Sequence, residues 1–332
     1  MKHLSVILYS LLIVGCKNTN NCEAAKTNYE LKYPSEMVTE NLKNLTLIDD
    51  AIHFFVIGDW GRQGYYNQAE LGAMMNQISM VVEPEFVIST GDNFYDNGVG
   101  SVQDPLWKTS FEDIYSGNYL QVPWYIVLGN HDYRGNVQAQ IDYSNISNRW
   151  TLPENYWKKA IYSEDSPTAI NLTFLDTTPL QDDYYSDVDY KGVVQGTDTI
   201  SQLKWFKKTL TSIPSNQWNI VVGHHPMYTG GKRKNKKSYT KLHLESYFDN
   251  YKVNAYFSGH EHHLQHIKPK GHFTHHIISG AGSEVRHVED IEGTHFADSK
   301  TGIMVISILN NEMLVQAVDY KGNVLYKNKI LK

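Results

Sequence analysis

The 332-residue chain has only two cysteines, Cys16 and Cys22, both near its amino terminus. Neither a disulfide framework nor a thiolate metal site can therefore hold its fold. It has no excess of positive charge: 30 Lys and Arg stand against 36 Asp and Glu, a formal net charge of -6. That removes any chain-wide field for nucleic acid and confines basic patches to short segments. Proline is scarce, and with 41% hydrophobic and 20% charged residues the composition excludes collagenous, coiled-coil and disordered chains. No apolar run is long enough to span a bilayer comfortably. What the chain does have is a size beyond the roughly 250 to 300 residues at which single cores stop growing. It also has an unusual number of histidines, 15 in all.

The first sixteen residues, MKHLSVILYSLLIVGC, place Lys2 before an apolar run from Leu4 to Val14 and read as a cleaved export signal. The run ends Ile13-Val14-Gly15-Cys16, which resembles the bacterial lipobox and implies that Cys16 is acylated once residues 1–15 are removed. The alternative is a plain signal, or a short buried helix with a chance cysteine. Residues 16–48 are polar and rich in Asn, and are expected to form a flexible tether. Residues 49–332 are expected to form the folded domain. The chain is thus read as exported, periplasmic or at the cell surface, with the lipid as its only membrane attachment and a monomer favoured.

From residue 51 short apolar runs alternate with amphipathic stretches, the pattern of an α/β architecture with buried strands. Five of the runs end in polar residues: HFFVI (53–57) runs into GDWG, FVIST (86–90) into GDNFY, WYIVL (124–128) into GNHD, NIVV (219–222) into GHHP, and AYFS (255–258) into GHEH. In open α/β sheets ligands sit at the carboxyl edge, so these residues are expected to converge on one crevice. Residues 66–82 and 198–212 read as covering helices, the second capped by Asp198. After residue 272 the pattern is strand-like, with turns at Asn311-Glu312 and Gly322-Asn323, as in a terminal β meander belonging to a second sheet.

Asp59, Asp92, Asn130, His224, His260 and His262 offer oxygen and imidazole donors with no sulfur, which suits Zn, Mn or Fe. They are too many for one tetrahedral ion, and a carboxylate such as Asp92 can bridge two cations. A single Gly-Asp at a strand end is usually only a turn. Five such blocks in order, each after an apolar strand, form a ligand set.

GDWG, GDNFY, GNHD, VVGHH and GHEH resemble the five motif blocks of the purple acid phosphatases within the calcineurin-like metallophosphoesterases. Residues 122–150, QLKWFKKTL (202–210) and IISGAG (277–282) resemble the small tartrate-resistant acid phosphatases in particular. The resemblance implies a four-layer α-β-β-α sandwich, two packed mixed sheets flanked by helices. It also implies a catalytic domain with a binuclear centre of Fe(III) and a divalent Fe, Zn or Mn. Asp59, Asp92, Tyr95 and His262 would hold the ferric ion, Asp92, Asn130, His224 and His260 the divalent one, and His131 would face the substrate. Small phosphate monoesters would be hydrolysed by a hydroxide bridging the two cations, with Asp92, Asn130 and His131 as the catalytic residues. The alternatives are a phosphodiesterase or nucleotide hydrolase of the same superfamily, and a surface lipoprotein that binds phosphate without turnover.

Tyr95 is either a ligand or an ordinary core or rim tyrosine. A phenol with a pKa near 10 binds as phenolate in acidic or neutral solution only to a strong Lewis acid, which favours Fe(III). Gly61 stands where many phosphodiesterases of the superfamily carry a histidine. Asp132 is read either as orienting His131 or as a turn residue. His225, His263, His266, His275 and His276 are read as solvated or rim positions. The second phosphate-contacting histidine of the resembling family is missing, and the basic GGKRKNKK segment (230–237) intervenes. Lys232, Arg233 and Lys234 either supply that positive charge or form a solvated run.

Overall fold

A computed structural model describes residue 42, residues 44–164 and residues 166–332. The chain divides into Met1–Ser35 and Glu36–Lys332, and all described residues belong to the second unit. The expected signal segment, Cys16 and most of the expected tether lie outside the described residues. Among the described residues no helix is long and apolar enough to cross a membrane.

The elements run β1 (Ile52–Ile57), α1 (Gln68–Val82), β2 (Phe86–Ser89), β3 (Trp124–Ile126), α2 (Val137–Tyr143), β4 (Trp150–Thr151), β5 (Trp157–Tyr162), β6 (Ala169–Phe174), α3 (Lys191–Val194), α4 (Thr199–Ser212), β7 (Trp218–Val222), α5 (Tyr239–Asn250), β8 (Ala255–Ser258), β9 (Leu264–Ile267), β10 (His275–Ser279), β11 (Thr294–Asp298), β12 (Gly302–Leu309), β13 (Glu312–Asp319) and β14 (Val324–Leu331). They build two seven-stranded mixed sheets, ordered β14-β13-β12-β1-β2-β3-β4 and β11-β9-β10-β8-β7-β6-β5. Each sheet contains a parallel run, β1 to β4 at one side of the first and β6, β7, β8 and β10 in the middle of the second.

The sandwich follows from strands that are apolar on both faces. In β7, Ile220 and Val222 join the large core between the sheets. Val221, pointing the other way, packs with Phe206 and Leu210 of α4 and Leu244 and Phe248 of α5. Phe54 of β1 meets Phe257 of β8 across the sandwich, with ring centroids 6.0 Å apart. Each fully buried side chain of this size stabilises the fold by roughly 1.5 to 3 kcal/mol. Beyond the first sheet, Trp60, Phe94, Trp107, Phe111, Tyr115, Trp124 and Trp150 pack edge to face beneath the loops that carry the first motifs.

The fold class is as expected, with five physical corrections. The five motif strands do not share one sheet: β1, β2 and β3 belong to the first, β7 and β8 to the second. The terminal meander extends the first sheet, because β12 pairs antiparallel with β1. Helix α1 begins at Gln68, since Tyr66 and Asn67 take left-handed φ of 57° and 64°, and the first meander turn falls at Asn310-Asn311, between paired Leu309 and Glu312. Finally, the end of the expected tether is fastened to the domain. Leu42, Leu45 and Leu47 pack on the core, and Thr46 exchanges two backbone hydrogen bonds with the Gln316 side chain, at 2.8 and 2.9 Å. Asp198 caps α4 as expected, its carboxylate accepting from Ser201 N at 2.8 Å.

Candidate metal centre

The carboxyl ends of β1, β2 and β3 face those of β7 and β8, and their loops bring the seven expected donors into two groups. In the first, the Tyr95 hydroxyl lies 3.0 Å from Asp59 Oδ1, 3.0 Å from Asp92 Oδ2 and 3.2 Å from His262 Nε2. In the second, His224 Nε2 lies 3.4 Å from Asp92 Oδ1, 3.2 Å from Asn130 Oδ1 and 3.2 Å from His260 Nδ1. Asp92 belongs to both groups, through different oxygens. Adjacent donors of one ion, each about 2.1 Å from it, stand about 3.0 Å apart, close to the spacing within each group.

The hydrogen-bond inventory says why a cation fits. One phenolic proton cannot serve two carboxylates and an imidazole at once. In the second group His224 Nδ1 donates to the Thr90 carbonyl at 2.9 Å, and Asn130 Nδ2 donates to Tyr190 Oη at 2.8 Å. Their remaining atoms, Nε2 and Oδ1, then face each other with lone pairs. His262 Nδ1 is buried without a hydrogen-bond partner. Asp59, Asp92 and His224 alone, and likewise His224, His225 and His260, bring ligand atoms within 4.8 Å of one another.

Without a cation this cluster binds protons instead. Burial, then the charges of Asp59 and Asp92, push the Tyr95 phenol well above its ordinary range. Burial pushes Asp59 up to about 8. Burial opposes charge on His224, but Asp92 and Asp59 outweigh it and raise the imidazole to about 9. Asp92 is held down, against its own burial, by His224 and His131. Burial and neighbouring cations keep His260 and His262 neutral, His262 falling to about 3, the form in which an imidazole ligates.

Local backbone geometry delivers these atoms. Asp59, Asp92 and His260 all take left-handed φ, 58°, 51° and 67°, sparsely populated values that persist where surrounding structure over-determines them. Gly129 is required by proximity, since a Cβ there would sit 2.2 Å from Asp92 N.

The Asp132 carboxylate makes no hydrogen bond to the His131 ring. This buried carboxylate accepts from Gly129 N, Asn93 N, Asn93 Nδ2, Phe94 N and Gln140 Nε2, at 2.8 to 3.3 Å. It thereby ties the loop after β2, with Asp92 and Tyr95, to the loop after β3, with Asn130. His131 is oriented by the Asp96 carbonyl, which accepts from its Nδ1 at 2.6 Å. Burial lowers the His131 pKa against the pull of Asp92, so its imidazolium belongs to acidic solution.

A cavity of about 520 Å³ opens beside the cluster and is lined by Asn130, His131, His225, His260, Arg233 and Lys234, among others. Lys232 is exposed and does not line it, whereas Lys236 and Lys237 do. Arg233 Nη1 pairs with buried Glu261 at 3.1 Å, and Lys234 pairs with Glu289. Sequence reasoning missed Arg134, with Nη1 3.2 Å from His131 Nδ1, and the stacked Tyr184 and Tyr190. Tyr190 fixes Asn130, and Tyr184 Oη lies 3.1 Å from His225 Nε2. They come from residues 182–194, which carry no motif. The solvated reading of the extra histidines also fails: His225, His263, His266 and His276 are buried, and His275 is half-buried. His225, His263, His266 and His275 are hydrogen-bonded, and His276 meets the Tyr228 ring edge-on.

Residues 52–264 match the calcineurin-like phosphoesterase family. Purple acid phosphatase 3 of Arabidopsis thaliana is 34% identical over 343 residues, covering 98% of this chain and 87% of its own. Human tartrate-resistant acid phosphatase type 5 is 31% identical over 300 residues, covering 84% and 91%. Among solved structures, GAP50, the anchor in the inner membrane complex of Plasmodium, superposes with a TM-score of 0.73 at 27% identity, covering 85% of this chain and 89% of that one.

Replacing Asp132 with Ala leaves four N–H groups, Gly129 N, Asn93 N, Phe94 N and Gln140 Nε2, without their acceptor, while Asn93 Nδ2 keeps the Val127 carbonyl at 3.0 Å. At roughly 1 to 3 kcal/mol for each buried unpaired group that water cannot reach, the loss should be about 3 kcal/mol or more. Thermal unfolding should show it, and metal analysis should show weakened retention of both ions; a variant with wild-type melting and full metal content contradicts the clamp.

Proposed function

Since this chain belongs to the purple acid phosphatases of the calcineurin-like phosphoesterases, we propose that it is a binuclear-metal acid phosphatase hydrolysing small phosphate monoesters. The observation that carries the reading is the pair of lone-pair-rich donor groups sharing Asp92 beside an open cavity. Asp59, Asp92, Tyr95 and His262 would hold Fe(III), and Asp92, Asn130, His224 and His260 a divalent Fe, Zn or Mn. Such a pair supplies Lewis acidity, activating water at acidic pH and neutralising charge on the phosphoryl oxygens.

The protein groups do the rest. Asp92, whose two oxygens lie in different donor groups, would be shared by both ions and set the spacing of the two positions. Tyr190 holds the Asn130 amide so that its oxygen, not its nitrogen, faces His224. His131 lines the cavity with Nδ1 anchored on the Asp96 carbonyl, which leaves Nε2 to approach the leaving group and, as imidazolium, to protonate it. Arg233 and Lys234 place fixed positive charge where the resembling family has a histidine; they bind the dianion but do not readily deliver a proton. A non-catalytic phosphate-binding role is the competing reading; the complete donor set and His131 at the cavity favour turnover. The lipid anchor at Cys16 rests on the sequence pattern alone.

Three outcomes are expected. Metal analysis should find iron, and the iron-loaded protein should be coloured and cleave an aryl phosphate in preference to its diester, while Tyr95→Phe loses the visible band; a colourless active protein points to a Zn or Mn pair, and diester preference to the phosphodiesterase reading. Arg233→Gln should raise KM for small monoesters several-fold and flatten the ionic-strength dependence of kcat/KM while changing kcat little; unchanged KM returns the loop to a solvated role. Cys16→Ser should move the active protein from membrane to soluble fractions, and persistent attachment rules out the lipobox.

A further inference from the structure

We propose that Arg62 sets the donor strength of Tyr95 as a metal ligand, as a tuning residue that touches neither metal nor substrate; this rests on the reading of Tyr95 as a ferric phenolate. Arg62 follows GDWG at the end of β1, so the turn that delivers Asp59 also delivers this guanidinium. Its Cζ lies 3.8 Å from the Tyr95 ring centroid, the placement of a cation over an aromatic face. Two carboxylates hold it there, Glu284 Oε2 at 3.0 Å and Asp96 Oδ1 at 3.4 Å, and only 13% of the side chain is exposed. Its Nε is buried with no hydrogen-bond partner. This is a fixed cation in a poorly solvated position, where charge acts strongly on its neighbours.

The direction of the effect follows from electrostatics. A phenolate spreads negative charge into its ring, and a guanidinium on the ring face stabilises that charge and weakens donation to the metal. Ligand-to-metal charge transfer moves an electron away from the ring and hence away from Arg62, so Arg62 raises the energy of the visible transition. The same positive charge favours an added electron at the ferric ion and raises its reduction potential.

Arg62 also reaches a second donor of the same group. Glu284 Oε2 lies 3.8 Å from His262 Nδ1, the atom buried without a partner. A carboxylate facing the outer nitrogen of a ligating imidazole raises its basicity. Here that oxygen is drawn to Arg62 at 3.0 Å and to Arg286 at 3.5 Å, which withholds charge from the histidine. Arg62 therefore lowers donation from Tyr95 directly and from His262 through Glu284.

The test compares iron-loaded wild type with Arg62→Met, Arg62→Gln and Arg62→Lys by visible spectrum, iron content, circular dichroism and reductive titration. Met and Gln should retain iron, shift the band to longer wavelength and lower the reduction potential; Lys, which keeps the charge but not the planar stack, should fall between them and wild type. A coloured wild type with unshifted Met and Gln variants overturns the role of Arg62 alone. A colourless wild type overturns the ferric phenolate reading and this inference together. Iron lost from all three variants with unchanged circular dichroism makes Arg62 a support for the ligand loop and likewise overturns tuning.

Discussion

Electron-rich atoms crowded together at the bottom of a protein, with too few protons among them, are the constraint around which this molecule is built. Asp59, Asp92, Tyr95 and His262 point their lone pairs at one place, and Asp92, Asn130, His224 and His260 at another. Bare, the cluster must borrow protons, which is why Tyr95, Asp59 and His224 all hold theirs more tightly than usual. Repulsion of this kind is tolerable only if surrounding structure gives the donors no room to turn away.

That surrounding structure is densely packed and hydrogen-bonded. The tryptophan-rich layer beneath the loops fills the space into which Phe94 and Trp60 would otherwise slide. The Asp132 carboxylate gathers N–H groups from two loops and α2 into one knot. Three donors sit on left-handed backbone, a cost spread over the whole domain rather than met locally. Such packing keeps the lone pairs opposed before any ion arrives, so incoming ions meet donors already at ligand spacing.

The convergence of Asp59, Asp92, Asn130, His224 and His260 was legible in the sequence because hard cations restrict the residue types that can serve them, and each of these five follows an apolar strand and a glycine. His131 and Tyr95 carry no such positional signal, and only the resemblance of their motif blocks pointed to them. The supports of these residues were not legible. Tyr190 meets Asn130 across a separation of 60 residues, Arg62 meets Glu284 across 222, and neither pair has a local pattern to announce it. The buried histidines of β9 and β10 were misread because proximity to a motif says nothing about which face of a strand a side chain occupies. The division of motif strands between two sheets was equally hidden: β12 and β1 pair across some 250 residues, and an apolar run does not name its partner.

Each donor group draws on both sheets: Asp59, Asp92, Tyr95 and Asn130 come from the first, His224, His260 and His262 from the second. Neither group exists until residues near 60 and residues near 260 have found each other, a late event for so long a sequence separation. Ion capture is thereby deferred to the end of folding, and the compartment in which folding finishes decides which metals are on offer. Ions held by both groups would rivet one half of the sandwich to the other, so that the same bonds would oppose chelation and mechanical separation of the sheets.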